Sequence, residues 1–112
     1  MANINIKELL DGVVISSGGS VETDPISFDA FDIDGIVGVY VKVEGSGKLN
    51  LDYKASYNGS DYLIPSEASQ IITEMVAGED IVSVEPILTP HFKFLVGAVD
   101  DDITVTLIVC FQ

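Results

Sequence analysis

The chain has 112 residues, 47% of them apolar, and its 18 acidic and five basic residues give a formal charge of −13. That negative field disfavours nucleic acid and anionic membranes as partners, and no apolar run approaches the roughly 20 residues of a membrane-spanning helix. The length predicts one domain, residues 1–112, whose core forms without a disulfide because Cys110 is the only cysteine.

The N-terminal third predicts one helical turn and then short strands. Residues 1–8 lack a basic segment followed by an apolar run, so we expect no secretory signal. We expect the helical turn around residues 6–10. Residues 13–15 and 21–31 predict strands, and the Ser and Gly residues at 17–19 predict the turn between them.

The middle of the chain carries the clearest strand pattern. Apolar and polar side chains alternate through residues 49–57, which indicates a strand with one face on a core. The apolar positions are Leu49, Leu51, Tyr53, Ala55 and Tyr57. Residues 36–43 are rich in β-branched side chains and are followed by the glycines of residues 44–47, which suit a tight reversal. We therefore predict that the two segments pair as a hairpin.

Short apolar segments separated by turn residues continue to the C-terminus. Residues 58–61 and 65–67 bracket a short segment at residues 62–64. Residues 70–76 fit a strand or a helix, and we interpret them as a strand because residues 77–80 end the segment too early for an independent helix. Further strands are predicted at residues 81–85, 92–96 and 103–111.

The predicted fold follows from eight or nine short strands with turn signals at regular spacing and no helical crossover. They predict an all-β protein with a single antiparallel β-sandwich, of jelly-roll or immunoglobulin-like type, ahead of a barrel. No internal repeat or linker divides the chain, which is consistent with one domain.

Two of the predicted strands are apolar on both faces, at residues 36–43 and 107–111. A strand with one face in water alternates, so something must cover the second face of these two. One explanation is a loop or the N-terminal segment folded over it. The other is a subunit interface, which leads us to expect a homo-oligomer.

The acidic residues also have two interpretations. They cluster at Asp24, Asp29, Asp32 and Asp34 and again at Asp100, Asp101 and Asp102. Calcium is held by carboxylate and carbonyl oxygens on loops of this kind. The pair Asp32 and Asp34 lacks the later ligand spacing and closing Glu of a calcium-binding helix-loop-helix. We therefore predict solvated turn carboxylates and no metal ligands, with residues 100–102 protecting the last strand from edge pairing.

The sequence offers little for catalysis. His91 lies before a strand with no recognisable nucleophile or acidic partner, and Cys110 lies in an apolar run that predicts a small buried side chain. Paired carboxylates for glycoside hydrolysis stay open because their spacing is spatial, although a sandwich of this length leaves little room for a substrate cleft. We predict no enzyme, no catalytic residues and no cofactor.

A ligand-binding module is the alternative function, because jelly-roll sandwiches also hold sugars or calcium. Aromatic platforms would be expected for carbohydrate, and the candidates are Tyr40, Tyr53, Tyr57 and Tyr62. Tyr53 and Tyr57 share the face of Leu49 and Leu51, which predicts core packing for both, and the chain has no Trp.

A series of turn and strand signatures runs through nearly the whole chain. They are the Ser residues at 16, 17 and 20, TDPI at 23–26, the strand at 37–43, GKLNLDY at 47–53, SYNG at 56–59, PSEASQI at 65–71, SVEP at 83–86, PHFKF at 90–94 and the closing strand before residue 112. This series resembles small β-sandwich structural proteins of tailed phages and prophages, which are virion-associated and decoration-like.

The resemblance implies a non-enzymatic virion component, such as a capsid decoration protein or a head or tail accessory protein. Its partners would be other virion structural proteins such as the capsid shell, and it would be made in the host cytoplasm and located in the virion. The resemblance transfers no functional residue. It agrees with an apolar contact surface on a chain whose charge limits association elsewhere.

Overall fold

The computed structural model describes residues 5–27, 37–64, 71–84 and 91–111, and among them it contains no helix. The strands are β1 (Asn5–Ile15), β2 (Ser20–Glu22), β3 (Ile26–Ser27), β4 (Val37–Gly45), β5 (Lys48–Ser56), β6 (Ile72–Met75), β7 (Gly78–Val84), β8 (His91–Val99) and β9 (Ile103–Phe111). They form two antiparallel sheets packed face to face. Sheet I has the order β1-β9-β4-β7, and sheet II has the order β2-β8-β5-β6, with β3 also paired to β8. The predicted β-sandwich is confirmed.

The strand order is that of a jelly roll. Strands β2 and β3 pair with successive parts of β8, so they occupy one strand position that is interrupted at residues 23–25. Among the described strands, β5 and β6 are then the only sequence neighbours in one sheet, and every other step crosses between the sheets. An immunoglobulin-like sandwich keeps more sequence neighbours together in one sheet. Of the two predicted types, the topology therefore fits the jelly roll.

Four of the crossings lie at the same end of the sandwich, which we call the arch end. They join β1 to β2, β4 to β5, β6 to β7, and β8 to β9. Ile103, the first residue of β9, pairs with both Ile15 and Gly45, the last residues of β1 and β4. Val43 of β4 pairs with Gly78 at the start of β7. The arch end is therefore a compact set of neighbouring turns.

The predicted hairpin between residues 36–43 and 49–57 is wrong. β4 lies in sheet I and β5 in sheet II, so the segments face each other across the core. The glycines between them make room for the neighbouring arch: a Cβ added to Gly47 would lie 2.1 Å from the carbonyl oxygen of Asp101. Gly47 also donates its N–H to the carbonyl oxygen of Asp102, at 3.2 Å.

The predicted helical turn at residues 6–10 is also wrong, because β1 spans these residues and pairs with β9. The strand register shifts between Glu8 and Leu10 and again between Leu10 and Val13. These β-bulges interrupt the simple alternation of side chains. As a result Ile6 is exposed and Leu10 is buried. In the sequence these two apolar residues are four positions apart, which is also the spacing along one face of a helix.

The core lies between the two sheets and is almost entirely aliphatic and aromatic. Its largest fully buried side chains are Phe92, Phe94, Leu49, Leu51, Ile103, Leu107, Val37, Val39, Val41, Val43, Val96 and Val105. They come from the inward positions of the four central strands β4, β5, β8 and β9, and the inward residues of β5 up to Ala55 follow the predicted alternation. The outward positions of the same strands form the outer faces of the two sheets.

The remaining strand predictions fall partly inside the described residues. The segment 70–76 contains β6, which confirms a strand, and residues 62–64 contribute only a bridge between Leu63 and Ala55. The predicted strand at 21–31 corresponds to β2 and β3 as far as Ser27. Its remaining residues, with Asp29, Asp32 and Asp34, lie outside the described residues.

Candidate interaction surface

The outer face of sheet II is charged, and its charges are paired. Lys54 of β5 lies directly opposite Lys93 of β8. The Glu22 carboxylate of β2 accepts hydrogen bonds from both ammonium groups, at 3.1 Å from Lys93. The hydrogen bond from Lys54, and then that from Lys93, lowers the pKa of Glu22. Lys93 also lies over the ring of Tyr62, 4.3 Å from its centroid. Both ammonium groups are therefore paired with the same carboxylate.

The outer face of sheet I carries an apolar patch. Tyr40 of β4 is flanked by Ile81 of β7 and Ile108 of β9, its direct cross-strand neighbours. The next row away from the arch end contains Gly38 and Cys110, and Ile6 of β1 lies beside Cys110. Ile81 is 74% exposed and Ile6 is 70% exposed. We call these six residues the apolar patch: Ile6, Gly38, Tyr40, Ile81, Ile108 and Cys110.

Charged residues border the apolar patch on two sides. Lys42 and Glu79 face each other in the row toward the arch end, and Glu8 lies opposite Ile108 at the β1 edge. Lys42 forms an ion pair with Glu44 at 3.1 Å, which raises the pKa of Lys42. Partial burial, with a further contribution from Glu79, raises the pKa of the Tyr40 phenol. The patch itself contains no acidic or basic residue.

This arrangement explains why residues 36–43 and 107–111 are apolar on both faces. In β4 and β9 the inward side chains are buried in the core, and the outward ones at Tyr40, Ile108 and Cys110 are half-buried. The N-terminal strand β1 lies at the edge of sheet I beside β9 and does not cross the face. Cys110 lies on the outer face and is half-buried, so the predicted small buried side chain is buried only in part.

The three consecutive aspartates at residues 100–102 stabilise the arch end. Asp102 accepts a hydrogen bond from the N–H of Ser17 at 2.8 Å, and Asp101 accepts one from the N–H of Asp102 at 2.8 Å. Asp100 pairs with Lys48 at 3.2 Å. In the described part of the chain, no three His, Cys, Asp or Glu side chains come together as metal ligands.

His91 and Tyr57 lie at the end of the sandwich opposite the arches. His91 starts β8 opposite Ser56, and its imidazole packs against the turn that follows β5, where a Cβ added to Gly59 would lie 3.2 Å from Nε2. Tyr57 is 74% exposed, so its predicted place in the core is wrong. The reason is that the Ser56 hydroxyl accepts the N–H of Gly59 at 2.9 Å and ends the strand. Tyr53 is buried, as predicted.

The sequence patterns missed two parts of these surfaces. Ile81 begins the strand predicted at residues 81–85, but the sequence gives no sign that it borders Tyr40. Glu22 gives no local signal, because its lysine partners lie far along the chain. The β-branched run around Tyr40 indicated a strand with two apolar faces. It did not indicate which residues of other strands lie beside Tyr40.

A comparison with models of protein families found none that matches this chain, and a search of curated proteins found no match. In the segments described above, no helix has the length and apolarity to cross a membrane.

Proposed function

We propose that this chain is a non-enzymatic structural protein of an assembly, and specifically a virion component of a tailed phage or prophage. It would act as a capsid decoration protein or a head or tail accessory protein. The observation that carries the proposal is the apolar patch on the outer face of sheet I, where Ile81 is 74% and Ile6 is 70% exposed. Single exposed apolar residues are ordinary on protein surfaces, whereas a contiguous set marks a contact surface.

The fold and the charge support the same proposal. Jelly rolls occur in viral capsid proteins as well as in lectins, so the fold admits an assembly role. A formal charge of −13 limits nonspecific association, which leaves the patch as the place for a specific contact. The phage assignment rests on the resemblance of the turn and strand signatures, and the proposed partners are other virion structural proteins such as the capsid shell.

The test is to find the chain in particles. Prophages are induced in the organism that encodes the chain, particles are purified on a density gradient, and the chain is measured across the fractions by mass spectrometry. We expect it to band with particles at a constant ratio to the major shell protein. Recovery only in the particle-free fractions would overturn the proposal.

A carbohydrate-binding module is the second candidate, and one observation favours it. Tyr57 is exposed on a turn that is fixed by side-chain hydrogen bonds: Asn58 Oδ1 accepts the N–H groups of Ser60 and Asp61, each at 2.9 Å. A rigid aromatic side chain can stack on a sugar ring. A glycan that raises the melting temperature of the wild type but not of Tyr57→Ala would support this function. The calcium version of this alternative has no such observation.

A further inference from the structure

We propose that the apolar patch is the contact of a two-fold homodimer, in which the outer face of sheet I packs against the same face of a second copy. This inference rests on the proposed function, because it takes the patch to be a contact surface within the assembly, and it names a second copy of this chain, not the shell, as the occupant of the patch.

Charge decides where a second acidic chain can approach. Two copies that each carry −13 repel each other wherever carboxylates face carboxylates. The two rows of the patch contain Ile81, Tyr40 and Ile108 and then Gly38 and Cys110, none of which is an acidic or basic residue. Glu8 ends the first row at the β1 edge, and Lys42 and Glu79 form the next row toward the arch end. Contact through the five residues of these rows therefore avoids opposed like charges.

Shape makes the surface complementary to itself. Tyr40 projects from β4, and Gly38, two residues earlier on the same face, leaves a depression: a Cβ added there would meet no heavy atom within 4 Å. A two-fold contact places the same surface on both sides, so a projection beside a depression can be matched twice. In the proposed dimer, the Tyr40 ring of each copy covers Gly38 of the other.

The edges of sheet I favour face packing over extension of the sheet. At the β7 edge, Asp80 Oδ1 accepts the N–H of Ile81 at 2.8 Å, which occupies a donor that a pairing strand would need. At the other edge, β1 carries two register shifts and a left-handed Gly12 with a φ of 61°. Bulges of this kind discourage pairing with a further strand.

The face is large enough for a weak but specific dimer. Four strands of about nine residues give the whole outer face of sheet I an area of roughly 20 by 30 Å, or about 600 Å² on each copy, of which the apolar patch is the uncharged part and the charged rows are the polar rim. The total of about 1,200 Å² lies at the low end of specific protein interfaces. We therefore expect a dimer that dissociates on dilution.

The experiment measures the mass of the whole chain by light scattering and sedimentation across a concentration series, at low and at high salt. We expect a monomer–dimer equilibrium that strengthens with salt, because salt screens the repulsion between acidic chains and leaves apolar contact intact. A monomer at all concentrations, an assembly of another order, or a dimer that weakens with salt would overturn the proposal.

Variants locate the interface. Ile81→Lys places charge in the patch at an exposed position, and Gly38→Val fills the depression with a residue that suits a strand. Each is expected to weaken dimerisation at least tenfold while the melting temperature of the monomer is retained. The matched control is Val76→Lys, which makes the same change of charge at a residue 62% exposed near the arch end. Equal weakening by the control, or no weakening by the two patch variants, would overturn the proposal.

Failure here differs from failure of the proposed function. If the chain is monomeric but bands with particles, the dimer proposal is wrong and the proposed virion role stands. If the chain is a dimer but never bands with particles, the proposed interface stands and the virion role is wrong.

Discussion

Lys54 and Lys93 lie directly opposite each other on the outer face of sheet II, where two like charges would destabilise the sheet. The Glu22 carboxylate of the edge strand β2 lies between them and accepts a hydrogen bond from each. β2 has only three residues, so this carboxylate attaches a short strand to β8 as well as compensating the two charges. Both consequences can be measured.

Replacing Glu22 by Gln is expected to destabilise the fold by about 0.5–1 kcal/mol. The amide keeps the size of the side chain but removes the charge that compensates two lysines, and partly exposed ion pairs contribute energies of this order. Urea unfolding at low salt measures the difference, which should shrink as salt is added. The matched control is Glu44→Gln, because Glu44 pairs with Lys42 alone. If both variants lose the same stability, Glu22 has no bridging role.

Acid should remove the same contribution. Hydrogen bonds from Lys54 and Lys93 hold the pKa of Glu22 below its ordinary value of 4.5. A carboxyl with a lowered pKa stabilises the folded state fully at pH values above its unfolded pKa, and the contribution is lost as pH falls through the folded pKa. The gap in melting temperature between wild type and Glu22→Gln should therefore be constant from pH 7 to about pH 5 and close below pH 4.5. A gap that widens in acid would contradict this account.

The fold class could be predicted from the sequence because it depends on local alternation. Leu49, Leu51 and Tyr53 alternate with polar residues, and all three lie in the core. The pairing of strands could not be predicted, because glycines before β5 fit a hairpin equally well. Gly47 instead donates its N–H to the carbonyl oxygen of Asp102, a contact between residues far apart in the chain that the local sequence does not show.

The same distinction applies to the candidate surface. Residues 36–43 indicated a strand with two apolar faces, and Tyr40 lies on the outer one. Its neighbours Ile81 and Ile108 come from strands that the sequence could not place beside it. Tyr57 was assigned to the core because alternation was extended one residue too far, past the point where the Ser56 hydroxyl ends β5.

Gly47→Ala should test the packing of neighbouring arches. A Cβ at this position would lie 2.1 Å from the carbonyl oxygen of Asp101, and backbone on both sides must move to relieve the overlap. We expect a loss of more than about 2 kcal/mol of unfolding free energy, as for other overpacked sites. Chemical denaturation measures it.

Gly38→Ala is the control for that change. It makes the same substitution where a Cβ meets nothing within 4 Å, so its effect should be neutral or slightly stabilising. If the two variants have equal unfolding free energies, the close approach of Gly47 to the Asp101 carbonyl oxygen does not determine how the neighbouring arches pack.

Asp80 is expected to protect the β7 edge. Its carboxylate accepts the N–H of Ile81, and the pairing of β7 with β4 runs without a register shift over residues 78–84, so this edge is the most regular of sheet I. Asp80→Ala removes the acceptor and frees a donor for another strand, which should increase slow β-rich aggregation. Thioflavin fluorescence and light scattering over days measure it.

Asp80→Asn separates the hydrogen bond from the charge, since its amide oxygen can still accept the N–H while the charge is gone. If the hydrogen bond is what protects the edge, Asp80→Asn should aggregate more slowly than Asp80→Ala. Equal rates would assign the protection to charge alone.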